Sequence, residues 1–188
     1  MTGLEMTASL ACNWKQTDEA RVSERKSNEE AVRPLQVVIF TPLGAGGQAG
    51  IDRMMDELRG ALQIDCFANI KAYFITTRGS GSILSSPLFL AHAIVRLLLL
   101  RLLGRVDVVH INLSSFGSTY RKLILARFSR ICRLPYVLHL HSGQFDYFLD
   151  SREGILKKEI DLMFQNSQKI IVPGKYWTQV APDNTALC

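Results

Sequence analysis

The residues best suited to chemistry in this chain are a glycine-rich turn and three histidines that lie in apolar runs. The turn spans residues 42–50, Pro-Leu-Gly-Ala-Gly-Gly-Gln-Ala-Gly, and joins the apolar run 37–41 to a segment whose apolar residues have helical spacing. Glycines between a strand and a helix present backbone N–H groups and the positive end of the helix to a phosphate. The turn therefore predicts a site for a nucleotide or a phosphorylated sugar.

The same turn allows other interpretations. Residues 44–49 fit the dinucleotide fingerprint G-x-G-x-x-A, and Arg78 after the next strand would suit the 2′-phosphate of NADP. Pro42 and Leu43 lengthen the turn, however, and no carboxylate stands where a ribose hydroxyl would bind. A Walker loop is excluded because no Gly-Lys-Ser/Thr follows the glycines. Glycine also supplies positive φ and close packing without any ligand, and this interpretation stays open.

Two of the histidines lie two residues apart on a predicted strand and so project from one face of it. With His110 on the preceding strand, His139 and His141 make a three-histidine metal site conceivable, but no nearby Asp, Glu or Cys completes a ligand shell, so no metal is expected. His139 is predicted to be a core histidine bonded to a neighbour. His141, at the strand tip, is placed to meet a ligand, where its imidazole can donate to a sugar hydroxyl or to a developing leaving-group charge.

Serine hydrolase chemistry has no support in the sequence. No G-x-S-x-G nucleophile elbow is present, and no serine is placed for a catalytic triad. Asp107 precedes the core of a predicted strand, where a cap or a salt bridge is the expected role.

The elements that must position these residues alternate along the chain. The pattern predicts strands at 36–41, 70–76, 106–113, 136–141 and 169–172, and helices at 51–63, 87–104, 118–132 and 153–166. Strands that each lead to a helix or turn predict a doubly wound parallel α/β sheet, Rossmann-like and in a single domain. Polar and small residues gather at the carboxyl ends of the strands, where such sheets bind ligands, so a functional cleft is expected there.

Length and composition set the domain organisation. A chain of 188 residues that is 47% apolar can build one domain of ordinary size. Residues 1–33 are polar with mixed charges and no apolar h-region, so they are expected to form a disordered tail rather than a secretory signal. The domain is placed at 34–180 and a truncated linker at 181–188. Four scattered cysteines favour a reducing, cytoplasmic setting.

The charge pattern leaves several partners open. The net charge is +5, and basic residues on and after the third predicted helix suggest a solvated basic face that could serve nucleic acid, anionic lipid or a phosphorylated substrate. These residues are Arg121, Lys122, Arg127, Arg130 and Arg133. The lack of an aromatic row argues against single-stranded nucleic acid. The apolar stretch 88–103 is interrupted by arginines and is expected to be a helix buried against the sheet, with docking at a membrane interface as a secondary expectation.

Taken together, these segments resemble the amino-terminal domain of GT-B glycosyltransferases of family 4. The resemblance covers about 36–180 and is carried by four stretches, namely the glycine loop with Ile51-Asp52-Arg53, and residues 106–110, 136–143 and 170–177. It implies a nucleotide-sugar donor, a saccharide or lipid-linked acceptor, retention of configuration and no bound metal or other cofactor. We expect the protein to work in the cytoplasm, with the inner face of the membrane as a potential location, and to have no nucleic-acid partner.

The resemblance also implies residue roles. Gly46 and Gly47 would approach the donor diphosphate, and His141 would act as the catalytic residue, contacting the donor sugar near the reacting carbon. The acceptor side would be lined by small and polar residues from two loops. These are Asn112, Ser114, Ser115 and Gly143.

One feature of the family is missing from this sequence. The second Rossmann-like domain of the family binds most of the nucleotide sugar through a Glu-x7-Glu element, and a chain that ends at Cys188 has no room for it. The chain alone is therefore expected to be inactive and to need a separate donor-binding domain. Two alternatives stay open, a non-catalytic binding module derived from this fold and an NADP-dependent oxidoreductase.

Overall fold

The computed structural model describes residues 33–47, 50–64, 67–80, 82–114, 117–141, 145, 148, 151, 153–172, 174 and 185–187. The elements follow one another as β1 (Leu35–Thr41), α1 (Gly50–Ala61), β2 (Ile70–Thr76), α2 (Ser86–Leu102), β3 (Val108–Leu113), α3 (Gly117–Ile131), β4 (Tyr136–Leu140), α4 (Gly154–Gln165), β5 (Lys169–Val172) and β6 (Thr185–Leu187). A short 3-10 turn, Ile83–Ser85, leads into α2.

The strands form one sheet in the order β2-β1-β3-β4-β5-β6, and every neighbouring pair is parallel. The predicted doubly wound α/β fold is confirmed. Because β2 lies on one side of β1 and β3 on the other, the order reverses between β1 and β3, which is the topological switch point. Phe40 of β1 is in register with Ile111 of β3, and Leu113 with Leu140 of β4, so the carboxyl ends of these three strands lie at one edge.

Most predicted boundaries agree with the structure to within two residues, and two differences have physical reasons. β3 begins at Val108 because the carboxylate of Asp107 accepts the N–H of Gln36 at 2.8 Å and pairs with the guanidinium of Arg33, which ties it to the start of β1. This confirms the salt-bridging role expected of Asp107. Residues 185–187, assigned above to a linker, form a short strand beside β5. The disordered tail was predicted for residues 1–33, and all of these except Arg33 lie outside the described residues.

The two faces of the sheet are covered differently. Alternate strand residues such as Phe40, Ile111 and Leu138 join one buried core with α2, α3 and α4, and we name this side the three-helix face. The opposite side carries His110 and His139, and its described helix is α1, so we name it the α1 face. The contacts that place α1 there run from Met55 to Asn112 and from Arg59 to the ring of Phe74, the last at 4.3 Å.

Helix α2 buries only one side against the sheet. Ala93, Leu97 and Leu100 are buried in the core, while several leucines on the outer side are exposed. The expectation that this helix is buried therefore holds for its inner side alone. Among the described residues, no helix is long and apolar enough to cross a membrane.

Candidate functional site

The switch point places polar side chains from β1, β3 and β4 at one edge of the sheet. Ligands of doubly wound sheets bind in the crevice outside the carboxyl ends of the strands at this point. The backbone N–H of His141, just after β4, donates to the carbonyl of Leu113 at 2.9 Å, which fixes the ends of β3 and β4 side by side. The site described below is built on that edge.

Asn112 connects three elements at the switch point. Its side chain is fully buried, and its Nδ2 donates to the carbonyl oxygen of Phe40 at 2.9 Å and to the sulfur of Met55 at 3.2 Å. Its Oδ1 lies 2.7 Å from Nε2 of His141. Because the carbonyl of Phe40 can only accept, the amide orientation is set, and Oδ1 accepts from a protonated Nε2. The lone pair of the neutral His141 ring then lies on Nδ1.

His141 belongs to a row of three histidines on the α1 face. The ring centroids of His139 and His141 are 4.0 Å apart, and those of His110 and His139 are 5.4 Å apart in a stacked arrangement. Burial, then the proximity of His139, His110 and Lys122, lowers the pKa of His141 to about 3. Burial also lowers the pKa of His139, and burial with His139 and Lys122 lowers the pKa of His110 to about 4. These shifts favour the neutral form of all three rings.

Within the described ranges, no group of three His, Cys, Asp or Glu side chains is arranged to hold a metal ion. Nε2 of His141 is already engaged by Asn112. The geometry instead holds a neutral imidazole in one tautomer, as a hydrogen-bonding partner of His normally does.

The glycine turn is shaped by two carboxylates of α1. The N–H of Leu43 donates to Oδ1 of Asp52 at 2.9 Å, and the N–H of Gly46 donates to Oδ2 of Asp56 at 2.8 Å. A Cβ on Gly47 would lie 2.7 Å from Cβ and Cγ of Asp52, and Gly44 has φ +93°. These contacts explain the glycines by backbone conformation and close packing, the interpretation left open above. They also show that the amide of Gly46 is occupied by a carboxylate.

Beside this turn lies a cleft of about 530 Å³ with a cationic wall, which we name the glycine cleft. It is lined by Leu43, Ala45, Gly46, Gly47, Arg78, Gly79 and Ser80. Burial, then the positive charge of Arg78, lowers the pKa of Arg121. Nε of Arg121 has no hydrogen-bond partner within the described part of the chain. The cleft therefore suits an anionic group.

Lys122 does not belong to the solvated basic face that the sequence suggests. It is buried rather than solvated, and its Nζ donates to Oγ1 of Thr77 at 3.1 Å, which in turn donates to the carbonyl of Thr41 at 3.0 Å. Burial and the nearby Arg121 lower the pKa of Lys122 to about 7, although the carboxylate of Asp52 opposes this shift. A periodic signal for this burial exists in the sequence. Position 122 shares a helical stripe with the buried residues Thr119, Leu125, Ala126 and Ser129.

The candidate residues from the sequence fall into four groups. Asn112 and His141 are in direct contact, and Gly46 and Gly47 line the glycine cleft. Ser114 lies at the end of β3, where its carbonyl accepts the hydroxyl of Thr119 at 3.0 Å. Ser115 and Gly143 lie outside the described residues. The sequence reasoning missed two buried charged residues, Asp52 and Lys122.

Fold and site together define a doubly wound α/β protein with polar side chains gathered at its switch point. No known protein-family model matches the sequence, and no curated protein matches it significantly.

Proposed function

We propose that the chain is the amino-terminal, acceptor-side domain of a glycosyltransferase that uses a nucleotide-sugar donor and retains the configuration of the transferred sugar. The observation that carries the proposal is the contact between Asn112 and His141 at the switch point. The contact holds an uncharged imidazole at the carboxyl edge of a parallel sheet, where a saccharide hydroxyl can reach it. The arrangement needs no metal ion.

The geometry refines the chemistry expected of His141. Nε2–H of His141 donates a hydrogen bond to Oδ1 of Asn112, so Nδ1 remains as the hydrogen-bond acceptor of the ring. In the proposed complex, Nδ1 accepts a hydrogen bond from a hydroxyl of the donor sugar near the reacting carbon. Asn112 has no exposed surface, so it acts as a positioning residue that fixes the tautomer and orientation of His141.

The donor diphosphate is assigned to the glycine cleft. Arg78 and the adjacent Arg121 supply positive charge there, and Gly46 and Gly47 line the wall. A phosphate oxygen that takes the amide of Gly46 must displace the carboxylate of Asp56, which is partly exposed and also pairs with Arg59. In this proposal Ser114, Ser115 and Gly143 line the acceptor side, a second domain holds the nucleotide, and the enzyme works in the cytoplasm at the inner face of the membrane.

Sugar transfer tests the proposal. The assay uses the polypeptide that the whole coding region encodes, including any sequence after Cys188, with radiolabelled UDP-, GDP- and dTDP-sugars. We expect label to enter a saccharide or lipid fraction while nucleoside diphosphate is released. His141→Ala should lower kcat by about 100-fold or more. His92→Ala, which removes an exposed histidine on α2, should leave kcat unchanged.

Either of two results would contradict the proposal. The first is no transfer from any of these donors, and the second is His141→Ala activity equal to that of the wild type. Saccharide binding without transfer would instead support a non-catalytic module.

One observation favours a second candidate, an NADP-dependent oxidoreductase. Arg78 shares the glycine cleft with Gly46 and Gly47, as a 2′-phosphate site beside a dinucleotide turn requires. Enhancement of NADPH fluorescence by the wild type but not by Arg78→Ala would support this candidate. Equally weak NADPH fluorescence with the wild type and with Arg78→Ala would exclude the oxidoreductase.

A further inference from the structure

The outer side of α2 carries an aliphatic stripe that is exposed to solvent and interrupted by His92. Leu88, Val95, Leu99 and Leu102 are 75%, 53%, 49% and 74% exposed. Their spacing of seven, four and three residues aligns them along one side of a helix. Leu97, which is fully buried, lies on the opposite side. Helix α2 is therefore apolar on both sides, and only its inner side has a partner within the described part of the chain.

The apolar surface continues beyond this stripe. Leu84 and Leu103 extend it at the two ends of α2 and are 85% and 63% exposed. On the adjacent helix α3, Tyr120, Ile124 and Ile131 are also exposed along one side. The two helices are joined where Nε of Arg101 donates to the carbonyl of Cys132 at 3.2 Å. We name the combined surface the α2–α3 outer surface.

The charge around this surface is mainly positive. Asp107 is the lone acidic residue between Arg78 and Phe145 in the sequence. Besides Arg121, the arginines on and beside the two helices are Arg96, Arg101, Arg105, Arg127, Arg130 and Arg133. Helix α1, by contrast, carries Arg53, Asp56 and Glu57, whose charges are mixed. The α2–α3 outer surface is therefore mainly cationic, although Glu159 of α4 lies beside Tyr120, Ile124 and Ile131.

The residue types favour lipid over a protein partner. Protein interfaces concentrate their binding energy in Trp, Tyr and Arg, and leucine is under-represented among such positions. This surface is built mainly of Leu, Ile and Val. Aliphatic side chains flanked by arginines are typical of helices that lie in the headgroup region of an anionic bilayer. Helix α2, with 17 residues and arginines along it, lies on the surface rather than across it.

We propose that the α2–α3 outer surface docks the protein on anionic phospholipid, with the aliphatic stripe of α2 in the headgroup region and the arginines at the lipid phosphates. The docked surface borders the glycine cleft. The position of a Cβ on Gly79, a residue lining that cleft, lies 2.2 Å from the ring of Phe89 in the first turns of α2. Docking thus brings the edge of the sheet to the membrane, whatever reaction the site performs.

Vesicle sedimentation tests this proposal with the full chain. Vesicles of phosphatidylcholine alone are compared with vesicles containing about 30% phosphatidylglycerol, at about 50 mM and 500 mM salt, because screening weakens exposed charges. We expect at least about tenfold tighter binding to the anionic vesicles at low salt. The triple variant Leu88→Gln/Leu99→Gln/Leu102→Gln should lose at least about tenfold of that affinity. A matched variant away from this surface, Leu35→Gln/Ile64→Gln/Phe67→Gln, should bind like the wild type.

Three results would overturn the docking proposal. They are no sedimentation with anionic vesicles at low salt, equal loss in both triple variants, and a chain that is dimeric by light scattering until the α2 variant makes it monomeric. The last result would assign the surface to a second copy of this chain. Circular dichroism of each variant confirms that it is folded. Because the assay involves no sugar, its failure is independent of failure of the proposed glycosyltransferase function.

Discussion

The glycine cleft and the Asn112–His141 pair lie at the same edge of the sheet, but their polar groups are satisfied in opposite ways. In the turn, the backbone N–H groups of Leu43 and Gly46 donate hydrogen bonds to the carboxylates of Asp52 and Asp56. These backbone donors therefore already have partners within the protein. In the Asn112–His141 pair, Oδ1 of Asn112 accepts a hydrogen bond from Nε2–H of His141, so the lone pair of the imidazole ring lies on Nδ1. The second arrangement is prepared for a ligand hydroxyl, whereas the first must exchange a carboxylate for a ligand.

This difference shows that a sequence signature and a chemical site need not coincide. The glycine turn has the stronger pattern, yet packing against Asp52 already requires Gly47. The Asn112–His141 contact has no linear motif, because 29 residues separate its members. The three substitutions below test the comparison, from the largest expected effect to the smallest.

Asn112→Ala should cost the most stability. It removes the donor to the carbonyl of Phe40, leaves His141 without its partner and opens a cavity at a fully buried position. We expect the free energy of unfolding to fall by about 2–4 kcal/mol, measured by urea denaturation. Asn166→Ala, at an exposed asparagine that also donates to a backbone carbonyl, should cost about 0.5 kcal/mol. Equal costs would show that Asn112 does not connect β1, β3 and β4.

Gly47→Ala tests the packing account of the glycine turn. The added Cβ would lie 2.7 Å from two carbons of Asp52, whose side chain is buried. We expect a loss of about 1–3 kcal/mol in the same denaturation experiment. At Gly50, a Cβ meets nothing within 4 Å, so Gly50→Ala is the matched control and should be neutral or slightly stabilising. If Gly47→Ala leaves the free energy of unfolding unchanged, close packing does not explain this glycine, and ligand binding becomes the better explanation.

Lys122→Met should change the pH dependence of stability rather than a single value. Burial lowers the pKa of Lys122 from 10.5 to about 7, so between these values the unfolded chain binds more protons than the folded protein. Wild-type stability therefore rises with pH in this window, by up to about 1.4 kcal/mol per pH unit. Lys122→Met should lose this slope in urea denaturation at pH 7, 8 and 9.

Lys158→Met is the control for this slope, because Lys158 is exposed on α4 and its removal should leave the pH dependence unchanged. Identical slopes in wild type and Lys122→Met would show that the lysine is hydrated and charged in the folded protein.

The fold could be predicted from sequence because its longer strands are short apolar runs, and the segments between these runs have apolar residues at helical spacing. Each of these runs forms a parallel strand. The strand order and the switch point needed the structure, since periodicity carries no information on which strands are neighbours. Lys122 was assigned to the surface because its charge was given more weight than its position on the buried stripe of α3. The outer side of α2 could not be predicted, because an all-apolar helix does not indicate which side the protein covers.

The state of the His141 ring is the most direct test of the central claim, that burial keeps this ring neutral and Asn112 keeps its lone pair on Nδ1. Long-range ¹H–¹⁵N correlation spectra of the ¹⁵N-histidine-labelled chain report both ring nitrogens as the pH is lowered. The account predicts a proton on Nε2 alone at pH 7 and a neutral ring down to about pH 4, since the pKa of His141 is lowered to about 3. A proton on Nδ1 instead, or an imidazolium already formed at pH 6, would contradict it.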